Sequence, residues 1–207
     1  MLFRSKSVEL IIVTKNHPSE LVLDLLDLGE SQFGENKDQE ASLKALTVAE
    51  AKTSNKPFWH FVGQLQSNKV RSMLGYASVL HSLDRTTLLK ELGKQLAKEP
   101  SMKLDVFIEL NLTDDSGRGG VSPDHLLGFA EEVLAFEQLE LLGVMGVAGL
   151  EAQPEQEFLR IAEASQKLQT IAPKARFISA GMSGDFETAI AYGATHIRLG
   201  TAITGKR

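Results

Sequence analysis

Apolar runs rich in β-branched residues alternate with segments of helical periodicity along the whole chain. The run VELIIVT (8–14) is almost wholly apolar, which predicts a strand buried on both faces. HPSELVLDLLDLG follows and predicts a helix. Pro18 suits its first turn and Gly29 its end, and Glu20, Asp24 and Asp27 share a face opposite the leucines. The pattern then repeats. QFGEN predicts a second strand, with helix formers over 37–52. FWHFVG (58–63) predicts a third, ahead of the short helix SNKVRSMLG. ASVLHSL is the fourth, followed by a helix stacking Leu88, Leu92 and Leu96. LDVFIELNL is the fifth, leading through the polar loop TDDSGRGGVSP into the helix DHLLGFAEEVLAF. LELLGVMGV is the sixth, with a helix over 154–172 stopped by Pro173. ARFISA, the helix DFETAIAYG and THIRLG complete the series. Eight strands alternating with helices predict parallel βα units closing into a (β/α)8 TIM barrel, one domain over 1–207. An open doubly wound sheet is the alternative.

Composition narrows the class. A chain of 207 residues with a formal charge of −5 and scattered Lys and Arg lacks the basic footprint of a nucleic-acid binder. With no cysteine there is no disulfide framework, thiolate metal site or cysteine nucleophile, and no metal is expected. The apolar start is interrupted by Glu9 and is too short for a signal-peptide core, and no apolar stretch reaches membrane-spanning length. A cytoplasmic protein with no membrane partner is expected.

In such a barrel the chemistry sits at the C-terminal ends of the strands, and a phosphate commonly lies on the loops after strands 7 and 8. SAGMSG and GTAITG occupy those two positions. Gly181 lets backbone approach a ligand, the amides near Met182 and Ser183 would face outward at a helix start, and Gly200 and Thr201 add amides next door. Alone, each turn reads as a tight turn; together, at this position, they point to an anion site. Lys15 ends the first strand, where an amine desolvated in the barrel mouth would serve as a Schiff-base nucleophile. Arg198 lies within an apolar strand and needs a polar partner. Asn36 ends FGEN. His60 lies inside FWHFVG, where a histidine is more often a satisfied core residue than a catalyst. The polar turn GQLQSNK is accounted for by helix capping through Ser67 or Asn68.

VTKNHP, FGENKDQEA, WHFVGQLQSNK, HSLDR and GMSGDFETAIAYGATHIRLGTAITG, in that order, closely resemble the pyridoxal-phosphate homeostasis protein family. The resemblance implies a barrel like the N-terminal domain of alanine racemase, carrying pyridoxal 5′-phosphate (PLP). It implies that Lys15 forms the internal aldimine. Should Lys15 not do so, Lys69 is the other lysine to test. Ser179, Gly181, Met182, Ser183, Gly200 and Thr201 match the phosphate cradle. Arg198 matches the arginine facing the pyridine nitrogen, and Asn36 and His60 match the polar wall around the ring. Three features depart from the family. Arg118 in GRGG stands where a lysine is common, GVMGVAGL differs after the methionine of strand 6, and a short stretch precedes strand 1 where an extra helix is usual.

The function implied is intracellular PLP homeostasis, holding the cofactor on Lys15 without robust turnover. The partners implied are recipient apo-enzymes or free amino acids, and a monomer or weak dimer is expected. A two-base racemase needs a base on each face of the substrate carbon, and the barrel accounts for the whole chain. The alternatives are a simple PLP enzyme such as an amino-acid racemase, and a barrel that binds a sugar phosphate or nucleotide without a covalent link. The short ends also predict an open groove outside strands 1 and 8, lined by alternate residues of VELIIV and THIRL.

Overall fold

Each apolar run pairs with its neighbour in sequence, and the last pairs with the first, so the strands close into a parallel barrel. The structure is a computed structural model describing residues 8–51, 53–113, 117–149 and 153–205. The strands are β1 (Glu9–Val13), β2 (Gln32–Glu35), β3 (Phe58–Phe61), β4 (Val79–Leu83), β5 (Leu104–Glu109), β6 (Leu139–Met145), β7 (Phe177–Ser179) and β8 (His196–Leu199). The helices are α1 (Ser19–Asp27), α2 (Asp38–Glu50), α3 (Val70–Leu74), α4 (Thr86–Leu96), α5 (Leu126–Leu134), α6 (Pro154–Gln169), α7 (Phe186–Ala191) and α8 (Thr201–Thr204). The closed (β/α)8 barrel is therefore the architecture, and the open sheet is excluded. α6 stops at Gln169 rather than at 172, and the fifth strand stops at Glu109, where Leu110 makes an isolated bridge to Val121. α8 is an additional turn. Part of the loop after β5, including Asp114 to Ser116, lies outside the described residues.

Strand partners in register share a face. Ile12, Phe33 and Trp59 are in register and face outward, packing with Val22, Leu25 and Leu26 of α1. Leu88, Leu89, Leu92 and Leu96 of α4 and Phe158, Ile161 and Leu168 of α6 fill the same layer between strands and helices. Inside the barrel, Val79, Phe107 and Met145 form a small apolar cluster, and buried His60, His81, Ser179 and Arg198 accompany it.

The groove expected outside β1 and β8 is not open. Ile12, Ile197 and Leu199 are 1%, 7% and 6% exposed. Ile12 is covered by α1, while Ile197 and Leu199 pack in one cluster with Ala189 of α7, against which Phe186, Ile190 and Leu10 also rest. On β1 itself Leu10 is half-buried and Glu9 exposed.

Candidate functional site

The two small-residue turns meet at the C-terminal mouth. The Arg198 N–H donates to the Gly181 carbonyl at 3.0 Å, and the Ala202 N–H donates to Ser183 Oγ at 3.2 Å. Gly181 has φ +94°, and a Cβ there would lie 2.8 Å from Ala189 Cβ and 3.0 Å from Phe186 Cα, so glycine is what lets the turn fold this closely. Among the described residues the N–H groups of Ser183, Gly184, Gly200 and Thr201 find no acceptor. The Met182 N–H does not join them, because it donates to Asp185 Oδ1 at 2.6 Å. α7 begins only at Phe186, so these amides lie in turns rather than at the start of a long helix.

β1 brings Lys15 beside it. A Cβ on Gly200 would lie 3.4 Å from the Val13 carbonyl, so the end of β1 abuts the second turn. The strand stops at Val13, Thr14 is fully buried, and Lys15 follows in a turn where Asn16 has φ +58°. The enclosed amine expected from the sequence is corrected here. Lys15, in this turn, is exposed.

Arg198 lies inward and is 6% exposed. Its Nη1 donates to Ser179 Oγ at 2.6 Å and its Nη2 to the Gly146 carbonyl at 3.1 Å. The chain continues from Ser179 Oγ to His81 Nδ1 at 2.8 Å, from His81 Nε2 to His60 Nδ1 at 2.9 Å, and from His60 Nε2 to Gln32 Oε1 at 2.7 Å. Directions follow from the two ends. A guanidinium only donates, so Ser179 accepts from it and gives its own proton to His81. With the Gln32 oxygen as the terminal acceptor, both histidines carry their proton on Nε2. Burial pushes the His81 pKa well below its ordinary value, and the neighbouring histidines and Arg198 add to this. Burial and His196 bring His60 down to about 3, and burial and Arg198 bring His196 down to about 4. Burial brings Arg198 to about 10, so it is a cation held in a neutral network. At the rim, burial and then the Asp84 charge push Glu109 up to about 7, while Gln64 Nε2 donates to its Oε2 at 2.6 Å.

Lys15, Gly181, Ser183, Gly200 and Thr201 thus share one mouth. Ser179 turns its buried hydroxyl to Arg198 and His81, beneath the turns. His60 is 3% exposed with both nitrogens committed, the satisfied-core arrangement. Asn36 stands where β2 and β3 end in close contact. A Cβ on Gly63 would lie 2.2 Å from the Asn36 carbonyl, and buried Asn36 Oδ1 has no partner among the described residues. Sequence reasoning missed Gln32, His81, His196 and Glu109. HSLDR carried a signal for His81, and GATHIRLG one for His196. Among the described residues no group of three or more His, Cys, Asp or Glu could hold a metal ion.

A closed parallel barrel whose mouth joins free turn amides, a lysine and a buried arginine defines the class of the N-terminal barrel of alanine racemases. The family model for the alanine racemase N-terminal domain matches residues 2–207. The pyridoxal phosphate homeostasis protein of Vibrio alginolyticus is 35% identical over 205 residues, spanning 98% of this chain and 88% of that protein. PipY of Synechococcus elongatus PCC7942, solved with PLP bound, superposes with a TM-score of 0.86 at 32% identity, covering 96% of this chain and 93% of that one. Alanine racemase from Corynebacterium glutamicum shares the fold with a TM-score of 0.71 at 16% identity, covering 97% of this chain and 57% of that one. The chain belongs to the alanine racemase N-terminal domain family and, within it, to the pyridoxal phosphate homeostasis proteins.

Proposed function

We propose that this protein binds pyridoxal 5′-phosphate at the barrel mouth and holds it for intracellular PLP homeostasis, without robust turnover of its own. One observation carries the reading. Four amides without an acceptor among the described residues, on Ser183, Gly184, Gly200 and Thr201, lie in turns that abut the end of the strand leading to Lys15. The cradle fits a phosphate, since its amides are donors, the Asp185 carboxylate beside it is held by the Met182 N–H at 2.6 Å, and the tight Gly181 turn keeps it open.

When bound, the cofactor supplies an aldehyde and an electron-accepting ring. The chain's residues do the rest. The cradle amides hold the phosphate, and Lys15 Nζ holds the aldehyde end. Asn36 borders the ring. Arg198, cationic and without an acceptor atom, keeps a proton off the ring nitrogen and so weakens the ring as an electron sink. Ser179 and His60 act beneath it, through the hydrogen bonds that fix Arg198. A site built this way favours retention over carbanion chemistry, which suits handing PLP to recipient apo-enzymes or exchanging it with free amino acids in the cytoplasm.

The test is spectroscopic. PLP added to the protein should give the long-wavelength band of lysine-bound cofactor, and borohydride should fix PLP to the peptide containing Lys15. Lys15→Ala should lose both while remaining folded and retaining PLP through the cradle. A protein that gives no such band, or fixes PLP at Lys69 instead, would overturn the assignment of Lys15. Steady turnover of amino acids at the ordinary enzyme rate of about 1–1000 per second would overturn the non-catalytic reading.

A further inference from the structure

Lys44 lies midway along α2, in DQEASLKALTVAE, where a lysine usually keeps its ammonium in water. Here it is 4% exposed. An ammonium taken out of water loses several kcal/mol of hydration unless partners replace it. Lys44 Nζ donates to Glu35 Oε1 at 2.5 Å, to Glu40 Oε1 at 3.0 Å and to the Thr14 carbonyl at 2.8 Å, which uses all three of its protons.

The Thr14 carbonyl belongs to the peptide group that precedes Lys15. Glu40 Oε1 also accepts the N–H of Asn16, which belongs to the peptide group that follows Lys15. Both peptide groups flanking the Lys15 Cα are therefore tied to one ion cluster, built by Glu40 and Lys44 of α2 with Glu35 of β2. Thr14 is secured further, through its Oγ1 to Glu35 Oε1 at 2.7 Å and its N–H to the Gly34 carbonyl at 3.0 Å. Asn16, at φ +58°, occupies the left-handed region that residues other than glycine seldom adopt without support.

Stability alone does not account for this cluster. Buried ion pairs are often matched or exceeded by apolar residues of the same volume, and their better-attested role is to fix one arrangement among several. The arrangement fixed here is the turn that carries Lys15. We infer that Glu35, Glu40 and Lys44 are positioning residues, a clamp that sets where the Lys15 side chain leaves the barrel wall and so how readily its amine meets the aldehyde of a bound cofactor. The inference rests on the PLP reading above.

Glu40 is the member to change, because its side chain is 26% exposed and its loss leaves the Lys44–Glu35 pair intact. In the apo protein, the Asn16 amide should exchange hydrogen about tenfold faster in Glu40→Ala than in wild type, as expected for loss of a charge-assisted hydrogen bond. With PLP, Glu40→Ala should fix the cofactor to Lys15 about tenfold more slowly under borohydride, while total PLP bound at saturation is unchanged. Glu40→Gln keeps an oxygen for Asn16 and should recover most of both effects. A purely structural contact would lower the melting temperature without separating fixation rate from binding. If Glu40→Ala matches wild type in both exchange and fixation, the clamp is overturned and the PLP reading stands. If exchange quickens but wild type itself fixes no PLP at Lys15, the PLP reading fails and takes the positioning role with it.

Discussion

Arg198 and His81 share a single hydroxyl. Ser179 Oγ accepts from Arg198 Nη1 at 2.6 Å and lies 2.8 Å from His81 Nδ1, so the arginine on β8 is oriented by a histidine on β4 across the barrel interior. Arg198 also donates, through Nη2, to the Gly146 carbonyl after β6. The guanidinium is thereby fixed from β6 and β7 as well as from its own strand, and the histidines beneath stay neutral.

Replacing His81 by leucine should therefore be costly in two ways. It leaves Ser179 and His60 each with an unpaired buried polar atom, at about 1–3 kcal/mol apiece. It also frees Arg198 to tilt. Urea unfolding at neutral pH should show a loss of about 2–4 kcal/mol, with weaker PLP retention in whatever remains folded. A variant as stable as wild type would mean that the hydrogen-bonded chain contributes nothing.

His196 supplies a pH test with a definite sign. Its folded pKa is about 4, against about 6.5 for an unfolded histidine. Below pH 6.5 or so the unfolded chain takes up a proton that the fold refuses, so the stability His196 contributes is complete above that point and is lost as pH falls towards 4. Glu109 opposes it, since a carboxyl raised to about 7 favours the folded state as pH falls. The comparison is therefore made against His196→Asn, in which Glu109 is unchanged. Between about pH 7 and about pH 5 wild type should lose about 2 kcal/mol more than the variant. Equal pH slopes would show that His196 does not stay neutral in the fold.

These inward histidines mark where the sequence stopped being legible. VELIIVT and LDVFIELNL announced strands because parallel barrel strands are buried on both faces and read as continuous apolar runs. For the same reason, period-two alternation could not say that His60 and His81 point inward. The contact between His81 and Ser179 spans 98 positions of sequence, and only closure of the ring creates it. Lys44 was equally hidden, because a lysine among helix formers looks like any solvated one until the Thr14 carbonyl is seen above it. The two glycine-rich turns were legible because their requirement is local. A glycine-rich turn after a strand carries its meaning within a few residues, although its amides proved to belong to turns rather than to a long helix start. The exposure of Lys15 was not legible, since residue type alone does not reveal the turn in which it lies beside a left-handed Asn16.

Gly181→Ala tests the cradle directly. The new methyl would meet Ala189 Cβ at 2.8 Å and Phe186 Cα at 3.0 Å, on a backbone with φ +94°. The turn must move, at a cost of about 1–3 kcal/mol in stability. Calorimetric titration should show PLP affinity reduced by about tenfold or more as the amides of Ser183 and Gly184 shift. Gly184→Ala is the matched control, because a Cβ there has nothing within 4 Å and should leave stability near wild type. If Gly181→Ala binds PLP as wild type does, these turns do not hold the phosphate.

Glu109 sets the last expectation, a pH dependence of binding rather than of folding. Burial and the Asp84 charge hold its carboxyl protonated up to about pH 7, against the opposing pull of Arg198 and Arg118. Below that pH the rim carries a neutral acid, and above it an anion is added at the mouth where an anionic ligand must enter. PLP affinity should therefore fall as pH rises through 7 and level off once Glu109 is ionised, a drop of a few-fold for a charge near a partly solvated site, about 1 kcal/mol. The phosphate of free PLP titrates nearby, so the decisive quantity is the difference between wild type and Glu109→Gln. The amide keeps an oxygen for Gln64 Nε2 to donate to and cannot ionise. Equilibrium dialysis across this range should give wild type and variant the same affinity on the acid side and a weaker wild type on the alkaline side. Parallel curves throughout would place the Glu109 charge too far from the bound anion to matter.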